Sequence, residues 1–124
     1  MHPERRHLSP EMAARLRDVY EGEIAYLDVH LGTLFEELRR RGLYDQTMIV
    51  LTSDHGEEFH EHGGWWHGTT LYDEQTNVPL IVKPAGTGAR GLRGGELVTS
   101  LDIAPTVLAA GGLPVPPAMQ GRRL

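Results

Sequence analysis

Between Arg41 and Lys83 the chain carries no Lys or Arg, yet this interval holds four of its seven histidines together with Asp54, Glu57, Glu58 and Glu61. The residues that begin this run, Asp54 and His55, follow the apolar, β-branched segment Thr47 to Thr52 after the single residue Ser53. A buried parallel strand has this appearance when it delivers polar groups from its carboxyl end, where open α/β sheets place their chemistry. A carboxylate and a neutral imidazole are oxygen and nitrogen donors, and as neighbours leaving one strand they can turn toward a single divalent ion such as Zn²⁺, Mn²⁺ or Ca²⁺. A solvated acidic loop would carry the same pair, so the flanking sequence has to decide between the two readings.

Those flanks read as an α/β arrangement. Ser9 is expected to cap a helix with Pro10 at its first position and Glu11 in its first turn. The helix should run to Arg41 and stop at Gly42, because Leu16, Tyr20, Ile24, Leu27, Leu31, Leu34 and Leu38 form one apolar stripe at three- and four-residue steps. At a rise of about 1.5 Å per residue such a helix exceeds the width of a small domain, and its stripe needs a broad partner surface that this chain hardly supplies. Asp28 and His30 are read as a helix-flank carboxylate and a solvated imidazole. Strands are expected at Thr47 to Thr52 and Val78 to Val82, with a third, short one at Glu96 to Thr99. The first, apolar on both sides, should be left poorly covered on one face. A short helix capped by Thr69 or Thr70 should precede the second strand, and a helix from Asp102 to Ala110, with Asp102 as cap and Pro105 in its first turn, should end at Gly111-Gly112. Residues 1 to 8 are read as a lead-in, Pro84 to Gly95 as a loop, and Leu113 to Leu124 as an irregular tail.

Composition narrows the function classes. The 124 residues have 40% hydrophobic content and a formal charge of -5, which argues against a nucleic-acid footprint. No apolar run approaches the ~20 residues of a membrane span, and the opening Met1-His2-Pro3-Glu4 is unlike a signal peptide, while location stays open. Without cysteine there is no disulfide, thiolate ligand or cysteine nucleophile.

From about Tyr20 onward the order of motifs becomes specific. Tyr44 to Ser53 leads into Asp54-His55-Gly56-Glu57, followed by Glu61-His62-Gly63, His67-Gly68, Leu71-Tyr72-Asp73-Glu74, Val78-Pro79-Leu80-Ile81-Val82 and Leu101-Asp102-Ile103-Ala104-Pro105-Thr106. In this order the chain resembles the C-terminal part of the catalytic domain of the sulfatase family, in the alkaline phosphatase superfamily. The resemblance implies an alkaline-phosphatase-like fold fragment over 1-124, a long amphipathic helix packed on a small mixed sheet. It assigns Asp54 and His55 as ligands of a divalent metal (Ca, Mn or Zn) and gives His67 the position usually held by Lys in sulfatases and by His in several phosphoester-processing relatives. An imidazole there can donate to a sulfuryl or phosphoryl oxygen, protonate a leaving group or ligate a second metal.

Glu57, Glu58, His60, Glu61 and His62 are expected mainly to shape the loop, and replacing Glu58 should change cation binding little. Trp65 and Trp66 are read either as aromatic pocket lining or as packing of the loop. The family's nucleophile motif, resembling Cys/Ser-x-Pro-x-Arg or Thr-x-Pro-Ser, does not occur in this sequence. The chain is therefore expected to be the metal-site portion of a sulfuric ester hydrolase, inactive alone, with the N-terminal half of the catalytic domain as its missing partner and a sulfate or phosphate ester as substrate. The alternatives are a fragment of a phosphoryl-transfer relative and a non-catalytic α/β binding module.

Overall fold

The computed structural model describes residues 8–86 and 91–124. The expected lead-in and the centre of the loop from Pro84 to Gly95 lie largely outside the described residues.

Helix α1 spans Pro10–Arg40. Its start is the expected one: the Ser9 hydroxyl accepts the Met12 N–H at 3.3 Å and Pro10 occupies the first position, where no donor is missed. At its end Gly42 takes a φ of +69°, and the amides of Gly42 and Leu43 donate to Arg39 O and Leu38 O at 2.9 and 2.8 Å. This closure satisfies the last carbonyls with the left-handed residue that glycine allows. Arg39 and Arg40 pair with Glu36 and Glu37 at 2.7 Å on the exposed last turn.

Tyr44, in the turn that follows, joins three segments. Its ring stands edge-on to Phe35 at 5.9 Å and lies under the Arg39 guanidinium at 4.1 Å. From the other side Lys83 reaches the same ring and donates to Tyr44 O and Thr47 O at 2.7 and 3.0 Å. Strand β1 (Ile49–Thr52) and strand β4 (Leu80–Lys83) are thereby clamped at one end of their ladder, in which Val50 pairs with Val82 and Leu51 with Ile81.

That ladder is antiparallel, whereas the sequence of β1 suggested a parallel strand. Residues 53–79 double back without a crossover helix, so β4 returns in the opposite direction, and a parallel neighbour would require such a crossover. Between the two strands lie a small hairpin of β2 (Glu58–Phe59) and β3 (Trp65–Trp66) and the single-turn helix α2 (Asp73–Thr76). Neither Thr69 nor Thr70 caps α2; Tyr72 occupies its N-cap without a side-chain bond, and Thr70 is drawn inward instead. The expected strand at Glu96 to Thr99 is not formed, because both described sheets are two-stranded and the segment leads into a turn.

A 3₁₀ turn (Ser100–Asp102) and helix α3 (Ile103–Ala110) form the last unit. Asp102 precedes α3 as expected, but its side chain faces back: Oδ2 accepts from Thr99 N at 2.9 Å and Oδ1 from Arg122 N at 2.8 Å. Thr106 donates to Asp102 O at 2.6 Å and accepts from Leu124 N at 3.0 Å, so the irregular tail is stitched onto α3. Helix α3 ends at Gly111 with Gly112 at φ +71°, as the glycine pair implied.

Among the described residues no large apolar side chain is fully buried; the buried set is Glu58, Gln75, Asp102, Thr106 and Pro105. On the α1 stripe Ile24 and Leu27 are each 53% exposed and Leu34 52%. Besides the Phe35 and Arg39 contacts to Tyr44, the helix touches the rest through Tyr20, edge-on to Phe59 at 5.3 Å, and through the Arg17–Glu61 ion pair. An amphipathic helix normally buries its stripe against another layer, and here most of that stripe faces outward.

Candidate functional site

The site begins where β1 ends. Ser53 Oγ donates to His55 O at 2.7 Å, curling the backbone so that Asp54 and His55 leave the strand together. Asp54 is 88% exposed and sits below the usual carboxylate range, held there first by its own backbone N–H and then by the neighbouring His55. His55 Nδ1 lies 2.8 Å from Gly56 O, so the ring donates from Nδ1 and keeps a lone pair on Nε2, 3.7 Å from Asp54 Oδ2. A backbone carbonyl that fixes the far nitrogen of an imidazole is the usual support of a metal-ligating histidine. The donor set therefore fits a divalent cation: one anionic oxygen and one neutral nitrogen, adjacent and open to solvent.

Gly56 then anchors this loop. Its N–H donates to Gln75 O at 2.8 Å, and a Cβ at this position would collide with the Glu74 carbonyl. The close approach of two backbones requires glycine.

His67 returns to this place along the hairpin. Its ring stacks on that of His55 with centroids 3.7 Å apart and an angle of 27°, while Nδ1 lies 3.2 and 3.3 Å from the two Glu57 oxygens. Asp54, His55 and His67 are thus brought into one cluster although twelve positions separate the two histidines.

What holds the hairpin is Glu58, whose side chain is wholly buried. Oε1 accepts from Gly64 N at 2.7 Å and His62 N at 3.1 Å, and Oε2 from Gln75 Nε2 at 3.2 Å and Thr70 Oγ1 at 3.5 Å. Glu58, the first residue of β2, points into the loop, while Glu57, just before the strand, reaches His67. Glu58 was expected mainly to shape the loop, and the structure gives it that part: it frames the segment that carries His67. Sequence reading also missed Thr70 and Gln75. The signal available was Gly63-Gly64 between the aromatic-bearing pairs Glu58-Phe59 and Trp65-Trp66, a hairpin pattern.

The remaining candidates have structural partners. Glu61 accepts from Phe59 N at 2.6 Å and pairs with Arg17; His60 stacks on Trp65 at 5.1 Å. His62 lies 2.6 Å from Glu74 and stacks on Tyr72 at 3.7 Å. Glu58, His62 and Glu74 offer ligand-type atoms within 4.8 Å of one another, but the Glu58 carboxylate already receives four donors and has no lone pair left for an ion.

The profile of the Sulfatase family matches residues 2–113. The chain is 34% identical over 109 residues to Arylsulfatase K of Bos taurus, which covers 88% of this chain and 20% of that protein. It is also 34% identical over 109 residues to the N-acetylglucosamine-6-O-sulfatase of Bacteroides thetaiotaomicron, covering 88% of this chain and 19% of the relative. To the Multifunctional alkaline phosphatase superfamily protein PehA of Trinickia caryophylli it is 36% identical over 114 residues, 89% of this chain and 21% of that one. The solved structure of BT4656 in complex with its substrate D-glucosamine-2-N,6-O-disulfate superposes with a TM-score of 0.63 at 32% identity, covering 82% of this chain and 20% of that one. The chain spans about a fifth of the length of these relatives. With the motif order from Asp54 to Thr106 and an alkaline-phosphatase-like α/β arrangement in place, the chain belongs to the sulfatase family of the alkaline phosphatase superfamily.

Proposed function

We propose that this chain is the C-terminal, metal-ligand-bearing portion of a sulfatase-type catalytic domain that hydrolyses sulfuric esters. The observation that carries the reading is the cluster of Asp54, His55 and His67, with the Nε2 of His55 left free beside an exposed, ionised carboxylate. Asp54 and His55 hold a divalent cation. When bound, the cation supplies Lewis acidity that polarises the ester oxygens and offsets developing negative charge. His67 contacts the sulfuryl group that is transferred, and in its doubly protonated form, with both ring nitrogens as donors, it gives a hydrogen bond to the sulfuryl oxygens or a proton to the leaving group. Covalent attack falls to a nucleophile outside this sequence, supplied by the N-terminal half of the domain, so the chain by itself binds the ion and turns nothing over.

Calorimetric titration of the chain with Mn²⁺ or Zn²⁺ tests the ligand assignment. Binding should be measurable in wild type and mostly lost in the Asp54→Ala/His55→Ala double variant. Equal affinity in the two would mean diffuse attraction of cations by the acidic loop and would remove the assignment.

A second reading, phosphoester chemistry, draws on His67 where sulfatases usually have Lys and on the similarity to PehA. In a full-length enzyme containing this segment, turnover of aryl sulfates without turnover of phosphodiesters would reject it.

A further inference from the structure

We infer that Glu57 is a positioning residue for His67: its carboxylate takes the Nδ1–H of the imidazole, fixing the ring's tautomer and presenting Nε2 as the nitrogen available to substrate or ion. This inference deepens the role proposed above for His67 and rests on that reading for its functional meaning. Its structural content stands on separate observations.

Both Glu57 oxygens lie near one nitrogen, at 3.2 and 3.3 Å from Nδ1, so the carboxylate straddles the N–H axis. Glu57 is only 15% exposed although it neighbours an open loop, which limits the directions its carboxylate can take. It lies next to the wholly buried Glu58 on β2, and that buried neighbour sets the strand's facing. His67 is 48% exposed, and His55 stacks on its face, which sets the plane of the ring but not the 180° flip that exchanges Nδ1 with Cδ2, nor the tautomer. The Glu57 contact supplies that constraint. A neutral imidazole has one N–H and one lone pair, so donation from Nδ1 leaves the lone pair on Nε2, and no described residue bonds to that nitrogen. Carboxylate support of an imidazole is the arrangement that orients metal-ligating and acid–base histidines.

The His62–Glu74 contact, also through Nδ1, at 2.6 Å, provides an internal standard in the same chain. The experiment is a long-range ¹H–¹⁵N correlation spectrum of the ¹⁵N-labelled, metal-free chain near pH 8, where an ordinary imidazole with a pKa of about 6.5 is neutral. The expected result is the Nδ1–H tautomer at His67 in wild type and in Glu57→Gln, which keeps an acceptor oxygen of the same reach. In Glu57→Ala the Nε2–H form should take over at His67 while His62 keeps its Nδ1–H pattern. An Nε2–H tautomer at His67 in wild type overturns the inference on its own, with no variant required to fold. So does an unchanged His67 in Glu57→Ala, or a loss in Glu57→Gln as complete as in Glu57→Ala. Since no metal is present, the outcome is independent of whether Asp54 and His55 bind an ion, and the two readings can fail separately.

Discussion

Replacing Glu58 by Ala should open the loop that carries His67. The carboxylate is wholly buried and its two shortest bonds, to Gly64 N and His62 N at 2.7 and 3.1 Å, come from backbone donors that have no other acceptor in the hairpin. Hydrogen bonds to a charged group contribute about 1.5–3 kcal/mol each, so the two amides together account for ~3–6 kcal/mol of local stability. The contacts to Gln75 and Thr70, at 3.2 and 3.5 Å, are longer, and those two side chains remain bonded to each other after truncation. At 1.36 kcal/mol per decade the loss corresponds to a fall of about 10²–10⁴ in the protection of the His62 and Gly64 amides, or to full opening where the loop holds less than that.

Amide hydrogen exchange followed by NMR reads this directly. The Arg122 amide, bonded to Asp102 in the α3 unit, serves as the unaffected reference. Glu58→Gln should lose about half as much, since its carbonyl oxygen can still serve both amides while the charge is gone and its NH₂ faces that of Gln75. Protection at His62 and Gly64 that stays within about threefold of wild type in Glu58→Ala, under ~0.7 kcal/mol, would refute the account of Glu58 as the frame of the site.

Three further outcomes are expected. Asp102 has its carboxyl held below the ordinary value by the amides of Thr99 and then Arg122, so its stabilising effect is complete above the unfolded value of 3.8 and is lost as pH falls through the lower folded value; the Thr99 and Arg122 amide shifts should move together in that acid range and not above it. Gly56→Ala should separate the Asp54-His55 segment from α2, since the added Cβ overlaps the Glu74 carbonyl, and should lower both Gly56 amide protection and Mn²⁺ affinity; retention of both would show that the backbones part without consequence. Lys83→Met keeps the apolar stem but removes donors to Tyr44 O and Thr47 O, and should cost about 1.5–3 kcal/mol for each lost bond, measured by urea unfolding, with an unchanged midpoint arguing that the clamp is superficial.

The parts of the fold legible from sequence were those governed by short-range chemistry. Ser9-Pro10 and Gly42 mark α1 to within a residue because capping and left-handed closure are properties of a few adjacent residues. Asp54 and His55 were legible because an apolar strand ending in ligands is a local pattern. The pairing of β1 was not, since strand direction depends on how residues 53–79 return, and the apolar run of β1 does not fix the direction of its neighbour. Thr70 and Gln75 were invisible for a related reason. Their role exists only once Glu58, twelve and seventeen positions earlier, is folded between them. Asp102 was correctly placed before α3, yet its true partner Arg122 lies twenty residues on, beyond the reach of any capping rule.

A consequence follows from the contrast between what is buried and what is not. The loop bearing the site is fixed by polar contacts that close among Glu58, Thr70, Gln75 and the backbone of His62 and Gly64, whereas most of the apolar stripe of α1 and the Ile81 and Val82 side chains of β4 are exposed and β1 is only half-buried. The two sets of forces meet through Tyr20 on Phe59, through Arg17 on Glu61 and, at the other end of α1, through Tyr44 between Phe35, Arg39 and Lys83. An additional layer packed on α1 and β1 would bury apolar area at roughly 25 cal/mol per Å² and raise global stability without altering any of the bonds that place His67. Site geometry and global stability are therefore separable in this fold: substitutions on the α1 stripe act on cooperativity and melting, while Glu57, Glu58 and Gly56 act on the chemistry-bearing cluster, and a variant that shifted both together would act through the Tyr20–Phe59 and Arg17–Glu61 contacts or through the Tyr44 junction of Phe35, Arg39 and Lys83.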